Sequence, residues 1–368
     1  MVERVYLHIG LPKTGTSYLQ TIAWSSRPQL KRDGVVLPGR ERRDHLWASR
    51  IIRQVPHIDT LPRAQRTAWD RLRAELREAS GTGLVSHEFL ASASDDQARR
   101  LVEDLAPAEV HVIVTARNAL DLFTASWQES LKNKSTTPMS EYSSRVSKRP
   151  TVVWNWRALD LRLVLRRWVE AVPADRIHVL PVDSTAPRHQ LWTTFAETIG
   201  VDPVLYDTRD SFPNVSMGVV EAETLRRVNR HLVGFDRAFD RGVWIRTFLA
   251  DERLVPRGGE KYWPLPDQVQ DCRRRSARAV AFVRRRGFDV RGDLSHLLVP
   301  DELPDRRTPD TVTDREVAQV AVELVATLLA DVRAEHGRAR EAEPAPPRRP
   351  WFQIGRSARR KKRRNARS

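Results

Sequence analysis

A lysine, three hydroxyl side chains and two glycines crowd one short stretch near the start of the chain. Val5-Tyr-Leu-His-Ile-Gly-Leu-Pro-Lys-Thr-Gly-Thr-Ser-Tyr-Leu-Gln20 reads as a short apolar strand, a Pro-Lys-Thr-Gly-Thr-Ser turn and then a helix. Backbone N–H groups of such a turn, with the positive end of the following helix, form a concave anion site, and glycine lets the backbone approach the oxygens closely. The chemistry this implies is the binding and transfer of a phosphate-like group. In the G-x-x-x-x-G-K-[ST] loop of nucleotide hydrolases the lysine follows the second glycine. Here Lys13 stands two positions before Gly15, and Thr16 and Ser17 follow it. A lysine inside the loop implies a different reaction at a related site.

Two further segments carry chemistry at comparable places. Val110-His-Val-Ile-Val-Thr-Ala-Arg117 is an apolar run ending in arginine, and Asn118-Ala-Leu-Asp-Leu-Phe-Thr-Ala-Ser-Trp-Gln-Glu129 then reads as a helix. Gly83-Leu-Val-Ser-His-Glu88 is strand-like and ends in ionisable residues. The elements that position them alternate between strand-like runs and longer helical patterns, which predicts an α/β sheet with crossover helices. Gly34–Pro38 is a short second strand, Arg63–Ser80 a helix, Trp154–Trp168 a helix, Arg176–Asp183 a strand and Leu191–Ile199 a helix ending at Gly200. Helical periodicity dominates Val219–Leu232 and Asp314–Glu335, so the C-terminal third is expected to be mainly α. Open parallel sheets place their sites at the carboxyl ends of strands, where all three segments end.

The Pro-Lys-Thr-Gly-Thr-Ser turn, together with the later strand, Arg117, Asn118 and a helix bearing small hydroxyls, resembles the donor site of sulfotransferases that use 3′-phosphoadenosine 5′-phosphosulfate (PAPS). Asn214-Val-Ser216, the Glu223–Asn229 helix and Arg286-Gly-Phe-Asp-Val-Arg-Gly-Asp-Leu294 look like later landmarks of bacterial members, so the resemblance spans roughly residues 3–300. It implies a P-loop-like central parallel sheet flanked by helices and an enzyme moving a sulfuryl group from PAPS to a hydroxyl or amine by in-line transfer. Negative charge builds on the bridging oxygen of the leaving phosphate, and Lys13 is the expected catalytic cation. Gly15, Thr16 and Ser17, with Thr14 beside them, are expected at the 5′-phosphate. Arg117 is expected at the 3′-phosphate, where its fork matches two oxygens. The family's serine falls eight residues after the arginine, but Ala125 stands there. Ser126 is the expected replacement and Thr124 the alternative, since one residue turns a helical side chain by about 100°. For the general base, Glu88 comes first and His87 second; side chains alternate along a strand, so one of the two should face the cleft. His45, next to Trp47 in Arg43-Asp-His-Leu-Trp47, is a further base candidate that is expected to be packed, and His8 is expected to support the loop.

The 368 residues, 40% of them apolar, suffice for one large core; 11 are tryptophan. No run approaches the roughly 18 apolar residues of a membrane span, the first strand begins within five residues, and Cys272 is the single cysteine. These features together predict a cytoplasmic protein without internal disulfides or a multi-cysteine metal site. No His/Cys cluster has metal-ligand spacing, and the donor reading needs no metal. The expected organisation is a sulfotransferase-like domain over 1–300, a helical extension over 301–340, and a proline-rich linker with a disordered polybasic tail over 341–368. Ten Lys or Arg and no acid lie between Arg348 and Ser368, so the other 347 residues carry +6 of the net +16. Such a tail suits weak contact with a polyanion or an anionic membrane. Carbohydrate, lipid and small phenolic acceptors all remain open, with Trp244–Trp263 as a lid or a packed helical cap. A small-molecule kinase is the first rival, with Asp183 as its only metal-binding acid and Pro181 interrupting the strand before it. A nucleic-acid-binding protein acting through the tail is the second.

Overall fold

The computed structural model describes residues 1–209 and 216–342. Asn214, Val215, most of the proline-rich stretch and the polybasic tail lie outside them. The chain divides into two compact units, 1–320 and 321–368. The helix Asp314–Ala342 spans that boundary, and residues 321–342 are the described part of the second unit.

Six strands form one sheet: β1 (Arg4–Gly10), β2 (Val35–Val36), β3 (Thr82–Ser86), β4 (Glu109–Ala116), β5 (Ile177–Pro181) and β6 (Asp289–Val290). The order is β2-β3-β1-β4-β5-β6 and every pairing is parallel. This is the α/β architecture expected from alternating strands and helices. Parallel pairs require crossovers, which put helices on both faces and make the strands apolar on both sides. On one face Val5, Leu7 and Ile9 join Val85, Val112, Val114 and Val179 against helices carrying Trp69, Leu72, Leu101 and Trp168. On the other, Tyr6, Leu84, Ile113 and Leu180 meet Leu19 and Ile22 of the helix Thr16–Ser25 and Trp192 and Phe195 of the helix His189–Ile199.

The strands at 83–88, 110–117 and 176–183 lie where their residue patterns put them. Pro181 is the last residue of β5 rather than a break within it. Two expected helices are divided. Arg63–Arg66 is a separate turn before Ala68–Glu78. Asp160 separates Trp156–Leu159 from Leu161–Trp168, its carboxylate accepting the Leu163 N–H at 3.2 Å as an N-cap. Residues Arg241–Leu254 form a π-helix, with Thr247 donating to the Gly242 carbonyl five residues back. Cys272 is buried, and burial pushes its thiol pKa up, so it is an ordinary packed helix thiol.

Candidate active site

Strand β1 sits between β3 and β4, and the chain leaves β1 on one side of the sheet and returns on the other. A crevice opens at the carboxyl ends of strands where the order reverses in this way. There a cavity of about 1050 Å³ is lined by the loop Lys13–Ser17, by Glu88 after β3, by Arg117 after β4 and by Asp183 after β5. The first three sequence segments therefore open on one space.

The loop owes its path to residues that adopt positive φ. Gly10 (φ 90°), Lys13 (φ 66°) and Gly15 (φ 85°) all lie in the left-handed region, which a lysine seldom occupies. A Cβ on Gly10 would fall 2.8 Å from Glu88 Cβ, so only glycine lets β1 end against the Glu88 backbone. Gly15 is the N-cap of the helix Thr16–Ser25 and brings no side-chain oxygen to the first turn. The first N–H groups of that helix, which have no intrahelical partner, are thus left facing the loop. Ser17 is exposed there, while Thr16 is buried.

Thr14 has a different place. Its hydroxyl donates to the Leu11 carbonyl (2.6 Å) and accepts from Thr115 Oγ (2.6 Å). Thr115 in turn lies 3.3 Å from His8 Nε2, and His8 Nδ1 lies 2.8 Å from Ser86 Oγ. One assignment satisfies the whole chain: Ser86 donates to His8, neutral His8 to Thr115, Thr115 to Thr14, and Thr14 to the loop carbonyl. The Thr14 hydroxyl is therefore spent holding the loop, and His8 supports the loop from beneath. Burial pushes the His8 pKa down to about 4, which keeps the ring in the neutral form this chain requires.

Of the two base candidates, Glu88 lines the cavity and His87 does not. His87 is buried against Phe89, with ring centroids 4.7 Å apart, and its Nδ1 accepts the Phe89 N–H at 3.2 Å. Burial holds its pKa down to about 4, with nearby Glu88 opposing and Arg53 reinforcing. It caps a turn instead of facing the cleft. Glu88 accepts from Gln20 Nε2 (3.2 Å), and Gln20 Oε1 accepts from Arg42 Nε (3.0 Å). Burial works to raise the Glu88 pKa, but a backbone N–H, Gln20 and the Arg42 charge act against it, and the carboxylate pKa stays below its ordinary range. Phe89 and Trp154, edge to face at 5.9 Å, form an aromatic wall beside it. His45 is packed as expected: it lies 5.4 Å from the Trp24 ring, Nε2 donates to the Pro38 carbonyl and Nδ1 accepts the Ser86 N–H.

The helix Ala119–Lys132 presents Asp121, Thr124, Ala125, Gln128, Glu129 and Lys132 to the cavity. Arg117, just ahead of it, pairs with Asp121 at 2.7 Å. Ser126, the expected replacement for the family's serine, does not reach the cavity. It is fully buried, 2.5 Å from the Tyr142 hydroxyl and away from the cavity, because one step from Ala125 turns it into the interior. Thr124 is the hydroxyl on the cavity side, and it also donates to the Leu120 carbonyl at 3.1 Å. Asp183 lines the cavity, but its carboxylate accepts from Thr185 N (2.7 Å) and Thr185 Oγ (2.6 Å). Among the described residues no group of three or more His, Cys, Asp or Glu is arranged to hold a metal.

Glu129 and Arg246 escape a reading by motif. Lys13 Nζ lies 3.1 Å from Glu129 Oε2, and Arg246 of the π-helix pairs with the other oxygen. Burial would raise the Glu129 pKa; Lys13, Arg246 and Lys132 together hold it down to about 2. The available signal was helical spacing, since Glu129 falls on the stripe running from Asp121 through Ala125. Tyr262 and Trp263 also line the cavity whereas Trp244 does not, so the Trp244–Trp263 region reaches the site only in part.

No family model matches the chain, and no curated protein matches it. Among solved structures, the chain is similar to the crystal structure of a sulfotransferase from Alicyclobacillus acidocaldarius, with a TM-score of 0.38 and 15% sequence identity over 57% of this chain and 86% of that one.

Proposed function

We propose that the protein transfers a sulfuryl group from PAPS to a hydroxyl or amine of an acceptor, without a metal. The observation that carries this reading is the opening of the Lys13–Ser17 loop and Arg117, from the adjacent strands β1 and β4, onto one cavity that also holds an ionised carboxylate. The loop N–H groups and the helix end take the 5′-phosphosulfate, and Arg117 takes the 3′-phosphate with Thr124 beside it. Glu88 accepts the acceptor's proton as the new bond to sulfur forms. Lys13 neutralises the bridging oxygen as the old bond breaks, leaving 3′,5′-adenosine bisphosphate. The Phe89–Trp154 wall beside Glu88 suits the apolar face of a ring or sugar, which leaves carbohydrate, lipid and phenolic acceptors within the class.

Calorimetric titration with 3′,5′-adenosine bisphosphate against magnesium-ATP tests this, using the intact protein and the Lys13→Ala and Arg117→Ala variants. Metal-independent binding of the bisphosphate is expected, weakened roughly tenfold or more in Arg117→Ala because a charge-assisted pair is lost. Preference for magnesium-ATP would move the reading to a kinase, and absence of any nucleotide binding would end it.

A further inference from the structure

Lys13, the cation on which the transfer reading depends, is bound to a carboxylate of the protein itself. Glu129 is buried and salt-bridged to Lys13 Nζ at 3.1 Å, and its second oxygen takes Arg246. The two partners come from different elements, one from the loop after β1 and the other from the π-helix Arg241–Leu254. Lys132, one turn further along the helix of Glu129, adds positive charge but is itself paired with Asp251 at 2.5 Å. Lys13 is the more exposed partner, with 38% of its side chain accessible against 7% for Glu129. A flexible ammonium at the cavity surface can leave the carboxylate for an incoming anion, while Glu129 keeps Arg246 and is not stranded as an unpaired buried charge.

We propose that Glu129 is a positioning residue that competes with the anionic ligand for Lys13, setting donor affinity and releasing product rather than supporting the loop. The identity of that anion rests on the sulfuryl-transfer reading; the competition itself does not. Bond by bond the exchange balances: the Lys13–Glu129 pair opens, a Lys13–phosphosulfate pair forms, and Glu129 stays on Arg246. A purely structural salt bridge predicts the opposite sign, because losing it would loosen Lys13 and weaken anion binding.

The test measures binding of inorganic pyrophosphate and of 3′,5′-adenosine bisphosphate to the wild type, Glu129→Gln, Lys13→Ala and the double variant. Glu129→Gln is expected to tighten both ligands by roughly tenfold or more, since Lys13 no longer has to leave a carboxylate partner in a partly desolvated site before it meets the anion. In the Lys13→Ala background the same substitution should change affinity by less than about threefold, the cycle isolating the pair. Turnover should show a lower donor KM together with a lower kcat, because product leaves more slowly. Unchanged or weaker binding in Glu129→Gln overturns the proposal, as does equal tightening without Lys13, which would be a general field effect. Should Glu129→Gln not fold, Glu129→Asp draws the carboxylate back from Lys13 and must shift affinity the same way by a smaller factor. Pyrophosphate binding without bisphosphate binding would discard the PAPS reading and leave the competition to be judged on pyrophosphate. Binding of neither anion discards both.

Discussion

Lowering the pH from 7 to 5.5 should destabilise this protein well before its carboxylates begin to protonate, because two histidines are buried in neutral form. His8 and His87 both have pKa values pushed down to about 4 by burial, against 6.5 when unfolded. Between those values the unfolded chain binds protons that the folded one refuses. Stability is therefore intact above about pH 6.5, falls as the pH drops below it, and levels off for these groups only near pH 4. Each histidine contributes a slope approaching about 1.4 kcal/mol per pH unit, and integration to pH 5.5 gives a loss of about 1.2 kcal/mol apiece, or about 2.5 kcal/mol for the pair. His45, also lowered by burial, adds in the same direction. The assay is urea denaturation followed by tryptophan fluorescence at pH 7.0, 6.5, 6.0 and 5.5. His8→Gln and His87→Gln should each remove close to half of the two-histidine slope. For His8 the same neutrality serves the site: the unprotonated Nδ1 accepts the Ser86 hydroxyl at 2.8 Å, and the relay ending on the Leu11 carbonyl depends on it. Stability that stays flat across this range, or a slope unaffected by either substitution, would refute the reasoning.

Three other outcomes follow from where the hydroxyls and carboxylates sit. Thr124→Ala should weaken 3′,5′-adenosine bisphosphate binding by a few-fold with little change in stability. Ser126→Ala should leave binding unchanged and destabilise the fold by about 1 kcal/mol through the stranded Tyr142 hydroxyl; titration calorimetry and urea denaturation separate the two cases. Glu88→Gln should lower kcat by roughly 10²–10⁴, the range of general-base contributions, while bisphosphate affinity stays within a few-fold. A variant that retains full turnover would remove Glu88 from the reaction.

What the chain decides locally was legible. Apolar runs of five to eight residues followed by glycine, arginine or acid mark β1, β3, β4 and β5, and the turn after β1 declares an anion site through its own residue types. The capping Gly200 and the apolar faces of the helices needed no partner to be recognised, since each pattern is completed within one or two turns of chain. The splitting of Trp154–Trp168 at Asp160 was missed, because a short polar residue can cap a new helix as readily as sit in an old one.

Contacts closed by distant residues belong to the tertiary structure alone. β6 is two residues long and is a strand only because β5 offers it an edge. Ala125, Thr124 and Ser126 differ by single helical steps, and only the packing of Ser126 against Tyr142 decides which face meets the cavity. Gln20 meets Glu88 across 68 residues and Lys13 meets Glu129 across 116, both through the parallel order that sets β1 between β3 and β4. The chain by itself determined a turn of anion-site residue types after the first strand. Which hydroxyl faces the cavity, which carboxylate lines it and which one grips the loop lysine depend on helix phase and sheet order, and those are settled by long-range burial.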